Sequence, residues 1–129
     1  MATNEDFGKL ILRLMVGSLM LFHGIAKITG GIDFITAQVT QAGFPEFLAY
    51  GVYVGEIVAP ILLILGLKTK LSAFIIAFTM VVAVYLVHAN DIFEITGTGA
   101  WAIELQMFYL LSCISIIFLG AGRFSFDKK

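Results

Sequence analysis

The stretch "LAYGVYVGEIVAPILLILGLKTKLSAFIIAFTMVVAVYLVHA", residues 48–89, decides the fold. Two apolar runs, 48–67 and 71–89, flank the basic tripeptide Lys68-Thr69-Lys70. Each is close to the ~20 residues that a helix needs to cross the hydrocarbon core of a bilayer. Both are long and continuous and neither alternates with period two, so helices are favoured over membrane barrel strands. The pair reads as a helical hairpin in lipid with a tight basic turn.

Working outward, "LILRLMVGSLMLFHGIAKI" at 10–28 and "AWAIELQMFYLLSCISIIFLG" at 100–120 have the same character. The expectation is an all-α membrane protein: one domain over residues 1–129, built as a four-transmembrane-helix bundle. Composition agrees. The chain is 60% hydrophobic and 13% charged, against about 45–50% and roughly 25% in soluble domains. Its net charge of -1 supplies no basic stripe, so nucleic acid is not expected as a partner. Its partner of first resort is the lipid bilayer. The opening "MATNEDFGK" lacks a basic leader and Arg13 interrupts the apolar run, so the first span reads as retained.

The connections differ in kind. Residues 29–47 form the longest, and Ile32, Ile35 and Val39 recur there at helical spacing. A short interfacial helix before Pro45 is predicted. The loop "NDIFEITGTG" at 90–99 is acidic and rich in glycine. Lys9, Lys68, Lys70, Arg123, Lys128 and Lys129 fall on one side of a four-span topology, while Asp33, Glu46, Asp91 and Glu94 gather on the other with Lys27. The positive-inside rule then puts both termini in the cytoplasm.

That orientation turns sequence positions into depths. His23 and Lys27 lie near the outer end of span one, and Glu56 about 12 Å inward along span two at 1.5 Å per residue. His88 ends span three and Glu104 begins span four. Ionisable groups inside spans face a bundle interior, a water-filled cavity or a partner. Five of the six in-span charges, Arg13 being the exception, are thus expected in one outward-facing polar pocket. Arg13, four residues from Lys9, is expected to snorkel to the cytoplasmic headgroups. Gly17 and Gly24 on span one and Gly51, Gly55 and Ala59 on span two offer the small-residue faces of tightly packed membrane helices. Pro60 frees a carbonyl in mid-span. These residues, with Arg13, are assigned structural roles. Cys113, the only cysteine, cannot form an internal disulfide or a CxxC pair, and reads as a small filler.

The segments "LRLMVG…FHGIAKITGG", "YGVYVGEIVAPILLILGLKTKLSA" and "AIELQMFYLL…GAGRFSFD" together resemble the DoxX family of small four-helix bacterial membrane proteins, from Leu10 to Asp127. The resemblance implies the bacterial cytoplasmic (inner) membrane and a link to redox chemistry. Family members are described as oxidoreductases or quinone-linked subunits. One branch is a small membrane subunit of an archaeal thiosulfate:quinone oxidoreductase, and others are tied to sulfur metabolism, oxidative stress or detoxification of quinones and catechols. Arg13, His23, Gly24, Lys27, Glu56, Pro60, His88, Glu104 and Arg123 match recurrent positions of the family.

The function expected is a membrane subunit of a redox system that binds a quinone or similar small organic molecule. Such a site needs apolar walls, a donor to each carbonyl and a proton route. His23, Lys27 and His88 are the donors, Glu56 and Glu104 relay protons with the histidines, and Phe22, Tyr53, Tyr85 and Phe108 form walls. Electrons then come from a partner protein or bound substrate, and assembly as a homo-oligomer is compatible with the chain. Four other readings share these residues. His23, Glu56, His88 and Glu104 are the right types for a metal, although no HxxxH spacing joins them. An outward pocket also suits a small-solute binding or transport module. The cluster could serve as a structural ion-pair clamp. Finally, the chain could be a non-catalytic assembly partner.

Overall fold

The computed structural model describes residues 2–128, so Lys129, counted above among the basic residues, lies outside the described residues. Helix α1, Asn4–Gly30, opens on a capping box. Thr3 Oγ1 accepts the Asp6 amide at 3.2 Å while Asp6 Oδ2 accepts the Thr3 amide at 2.8 Å. Orphan N–H groups of the first turn are thereby satisfied. The helix stops at Gly31, whose φ of 83° is open to glycine alone among common residues.

Helix α2, Asp33–Gln41, is the short helix expected in the first connection. Ile32 and Val39 tuck with Ala49 against Val52, Tyr53 and Leu86, which ties α2 across the end of the bundle. Helix α3 runs Glu46–Leu65 and is irregular in two places. After Pro45 it begins as a 3₁₀ turn over Glu46–Tyr50, and over Val54–Val58 it widens to a π turn in which the Ala59 amide reaches the Val54 carbonyl. The widening directly precedes Pro60. A proline has no N–H for the carbonyl four residues back, here that of Glu56, and a π turn is a recognised way to absorb such a break. Helix α4, Thr69–Val87, and helix α5, Glu104–Leu119, complete the chain.

The helices pack in the order α1, α3, α4, α5, with α5 lying along α4 and meeting α1 over a shorter length. Among the described residues there is no β-strand, only an isolated bridge between Ile95 and Trp101. The core is Val16, Met20, Leu63, Ile76, Met80, Cys113 and Ile116 with small residues between them. Close approach is set by glycine. A Cβ on Gly24 would overlap the Glu56 carbonyl oxygen, and one on Gly17 would lie 2.6 Å from Ile64 Cγ1 and 2.9 Å from the Pro60 oxygen. A Cβ on Gly55 would overlap Thr79 Oγ1, so α3 is gripped by α1 on one side and α4 on the other. Gly51 differs, because a Cβ there meets open space.

Among the described residues three helices, Asn4–Gly30, Glu46–Leu65 and Thr69–Val87, are long and apolar enough to cross a membrane. The fourth apolar run is shorter as a helix than as a sequence. Its 16 residues give about 24 Å, below the ~30 Å of a typical hydrocarbon core. Residues 100–103 are diverted into the preceding loop, where Trp101 Nε1 donates to the Ile92 carbonyl at 2.6 Å and the Thr96 amide donates to the Ala100 carbonyl at 2.6 Å.

Arg13 does not snorkel. It is 1% exposed, and its Nε, Nη1 and Nη2 donate to the carbonyls of Leu63 (3.0 Å), Ala121 (2.8 Å) and Ile64 (3.0 Å). Two of these belong to the last turn of α3, where helix carbonyls run short of intrahelical donors, although Leu63 also accepts the Gly66 amide at 3.1 Å. Around this clasp the chain end folds back. Asp127 accepts the Lys68 and Thr69 amides at 3.0 and 2.7 Å, capping α4, and Asp6 Oδ1 accepts the Arg123 amide at 3.1 Å.

Candidate functional site

The opposite end of the bundle is hollow. A cavity of about 660 Å³ lies where α1 ends, α3 begins, α4 ends and α5 begins, with α2 across it. Every helix contributes to its wall: Met20, His23 and Lys27 from α1, and Phe34, Ile35 and Gln38 from α2. Helix α3 adds Val52 and Glu56, α4 adds Thr79, Met80 and His88 at its end, and α5 adds Gln106 and Tyr109. The surface is mostly aliphatic and aromatic, with polar groups set into it.

Its electrostatic centre is one ion pair. Lys27 Nζ donates to Glu56 Oε1 at 2.7 Å, with the lysine side chain 25% exposed and the glutamate 7%. Glu56 is carried by the π turn of α3, directly opposite the glycine-faced stretch of α1. Because Gly24 lets the two backbones touch, the side chain of Lys27, three residues further along α1, reaches Glu56 without spanning a wide gap. The Tyr53 hydroxyl donates to the Lys27 carbonyl at 3.4 Å, holding the last turn of α1 against α3. His23 meets Tyr109 edge-on, with ring centroids 6.0 Å apart and planes at 85°. At the rim, His88 Nδ1 lies 3.0 Å from Asp91 Oδ2. With Nδ1–H directed at a carboxylate, the other ring nitrogen of a neutral imidazole is left as an acceptor.

Of the residues expected from sequence, His23, Lys27, Glu56 and His88 come together on this wall. Glu104 does not. It is exposed on the face of α5 that also carries Phe108, Leu111 and Ser115, while Gln106, Tyr109 and Cys113 turn inward. Tyr85 and Phe22 are also outward, 64% and 71% exposed, and Phe108 is 65% exposed. Tyr53 acts through the α1 carbonyl instead of forming wall.

Four polar members of the wall, Gln38, Thr79, Gln106 and Tyr109, had no part in the sequence reading, nor did Asp91 as a histidine partner. Gln106 carried a signal: an amide inside an apolar run needs a partner or a cavity. Its Oε1 is buried with no hydrogen-bond partner among the described residues. Among the described residues no three His, Cys, Asp or Glu side chains are grouped so as to hold a metal ion. In the set His23, Glu56, His88 and Glu104, Glu104 points away and the other three are not grouped closely enough to share an ion.

Comparison with known proteins follows the same outline. The model of the DoxX family matches residues 8–89. An uncharacterized protein of Haemophilus influenzae is 36% identical over 122 residues, covering 92% of this chain and 87% of the relative. A Bacillus subtilis protein named "Putative oxidoreductase CatD" is 29% identical over 122 residues, covering 95% of this chain and 86% of that protein. No solved structure matches.

Proposed function

The chain belongs to the DoxX family, and on that premise we propose that it is the membrane subunit of a redox system, holding a quinone or a flat organic molecule of similar polarity in the cavity between its helices. One observation carries the reading. The chamber's 660 Å³ falls within the ~300–1,000 Å³ of small-molecule sites, and its wall is apolar with a few converging polar groups. The name of the Bacillus subtilis relative supports a redox role.

A quinone becomes a hydroquinone by taking up two electrons and two protons. The electrons are supplied by a partner redox protein or a reduced co-substrate at the membrane face. The chain's own residues handle the rest. Lys27 and His23 donate hydrogen bonds toward the ring carbonyls, and Lys27 fixes the Glu56 carboxyl in place as an acceptor at 2.7 Å. The His88–Asp91 pair joins the cavity wall to the loop after α4, where Asp91 is 43% exposed at its side chain, and gives protons a way to water.

The same proposal includes four membrane passes, with α5 completed by the residues flanking it, and both termini in the cytoplasm of a bacterial inner membrane. The lysine and arginine distribution supports that orientation, which puts the cavity near the outer face.

The test is equilibrium dialysis of the purified protein in lipid nanodiscs against a tailless benzoquinone such as duroquinone. Saturable one-to-one binding is expected, weakened at least about tenfold by Lys27→Met, the scale of one charge-assisted hydrogen bond. Absence of saturable binding to the wild type overturns the proposal.

A further inference from the structure

The polar groups of the cavity wall fall into two sets. Those on α3 and α4 are committed within the protein. Glu56 Oε1 accepts Lys27 Nζ at 2.7 Å, Thr79 Oγ1 donates to the Ile75 carbonyl at 2.8 Å, and His88 Nδ1 lies 3.0 Å from Asp91 Oδ2. At the α1–α5 seam the situation differs. Among the described residues the side chains of His23, Gln106 and Tyr109 have no hydrogen-bond partner, although Tyr109 is only 7% exposed and Gln106 Oε1 is buried. Burying a polar group without a partner is costly, and buried tyrosine hydroxyls ordinarily find one. Tyr53 makes the contrast direct, since its hydroxyl is occupied by the Lys27 carbonyl.

We infer that His23, Gln106 and Tyr109 form a second polar anchor, which binds one ring oxygen of the ligand while Lys27 takes the other. The inference rests on the cavity reading above and adds Tyr109 and Gln106 as binding residues. Three observations bring the anchor together. Gln106 and Tyr109 are three residues apart on α5, so they share a face, and both line the cavity. His23 meets the Tyr109 ring edge-on at 6.0 Å, which brings the imidazole of α1 to the same place. The Tyr109 phenol is within electrostatic reach of Glu56, so the anchor and the ion pair belong to one chamber. The chemistry of the anchor differs from that of lysine. Phenol, amide and neutral imidazole each donate and accept, whereas an ammonium only donates. The anchor therefore holds a ring oxygen as a carbonyl, by donating to it, and as a hydroxyl, by accepting from it. A ligand that changes oxidation state in place keeps this contact throughout.

The experiment compares three probes with one ring and one set of methyl groups on the protein in nanodiscs: duroquinone, durohydroquinone under anaerobic conditions, and durene, which carries no oxygen. Tyr109→Phe removes only the hydroxyl and keeps the ring against His23. It is expected to weaken duroquinone and durohydroquinone about fivefold each, the scale of one neutral hydrogen bond. Gln106→Leu should do the same. Durene should bind both variants within about twofold of the wild type, which also reports that the cavity is intact. Tyr85→Phe, on a ring that is 64% exposed and turned outward, should change none of the three. Infrared spectra of bound duroquinone with isotope-labelled carbonyls give a readout independent of affinity. One of its carbonyl bands is expected to rise in frequency in Tyr109→Phe, as a carbonyl does on losing a donor. Unchanged binding of the oxygen-bearing probes in either variant, weakening confined to one oxidation state, unchanged carbonyl bands, or equal loss of all three probes overturns the inference while leaving the cavity reading in place. Failure of duroquinone to bind the wild type overturns both.

Discussion

Helix α1 turns a cation into the bundle near each of its ends, Arg13 and Lys27, and the two are treated in opposite ways. Arg13 and Lys27 are fourteen residues apart, close to four helical turns, so they share a face. Arg13 is sealed in, with three donors on three carbonyls and 1% exposure. Its planar fork can address several fixed acceptors at once, which an ammonium cannot. Lys27 has one partner, Glu56, and a quarter of its side chain faces a 660 Å³ hollow. At the first end Asp127 caps α4, Asp6 caps a backbone amide of the tail and Phe7 packs on Phe124 at 4.8 Å, and the one buried side-chain atom there without a partner among the described residues, Thr69 Oγ1, borders no hollow that holds the guanidinium. At the second end Gln106 Oε1 is buried without a partner among the described residues. A buried charge that is fully satisfied is structure. One that shares a hollow with an unsatisfied amide oxygen is available to something else.

The difference is broken most severely at the closed end. Arg13→Met leaves the Ile64 and Ala121 carbonyls without the guanidinium and the Leu63 carbonyl with only the Gly66 amide, and is expected to cost about 3 kcal/mol or more. Arg13→Lys should recover less than half of that. Both are measured by SDS titration followed by circular dichroism, and a loss under about 1 kcal/mol would mean the clasp is ornamental. Folded Arg13 variants should bind the tailless quinone as the wild type does.

Next in size is Gly24→Ala. The added Cβ meets a backbone carbonyl, which cannot rotate away, so about 1–3 kcal/mol is expected. Gly51→Ala, into open space, should fall within about 0.5 kcal/mol of the wild type. Because Gly24 sets the spacing between α1 and Glu56, Gly24→Ala should also weaken quinone binding, whereas Gly51→Ala should not.

How far this was legible follows from what each helix shows its neighbours. The helices announce themselves, since their apolar runs are long, and α1 betrays its packing face through Gly17 and Gly24. Helices α4 and α5 are apolar all round, so their sequences carry no phase. That is why Glu104 was expected inside and Gln106 and Tyr109 went unread, although the two faces of α5 differ by only a rotation. Arg13 was opaque for another reason. Its acceptors are backbone oxygens 50, 51 and 108 residues away, and a carbonyl leaves no mark in a sequence. The closing "GRFSFD" was legible only as a resemblance, and its folding back onto α1 and the turn between α3 and α4 gives it a physical reason.

A smaller effect sharpens the closed end. Asp127 accepts the first amides at the start of α4, so Asp127→Ala should cost about 1 kcal/mol, the usual value of a helix N-cap. The same SDS titration reads it. Quinone binding at the far end should be unchanged.

The last test sets stability against function at the open end. Removing one member of the Lys27–Glu56 pair leaves the other buried or half-buried without its partner, so Glu56→Gln alone and Lys27→Met alone should each destabilise by about 1–3 kcal/mol. Replacing both removes two desolvated charges together, and such double replacements are often neutral or stabilising. The Lys27→Met/Glu56→Gln protein is therefore expected within about 1 kcal/mol of the wild type by SDS titration. If the pair were a clamp like Arg13, the double variant would be at least as unstable as either single one. If the pair serves a ligand, the double variant folds normally and binds no quinone. Only the second pattern, stability restored and binding lost, fits a charge kept for what enters the cavity.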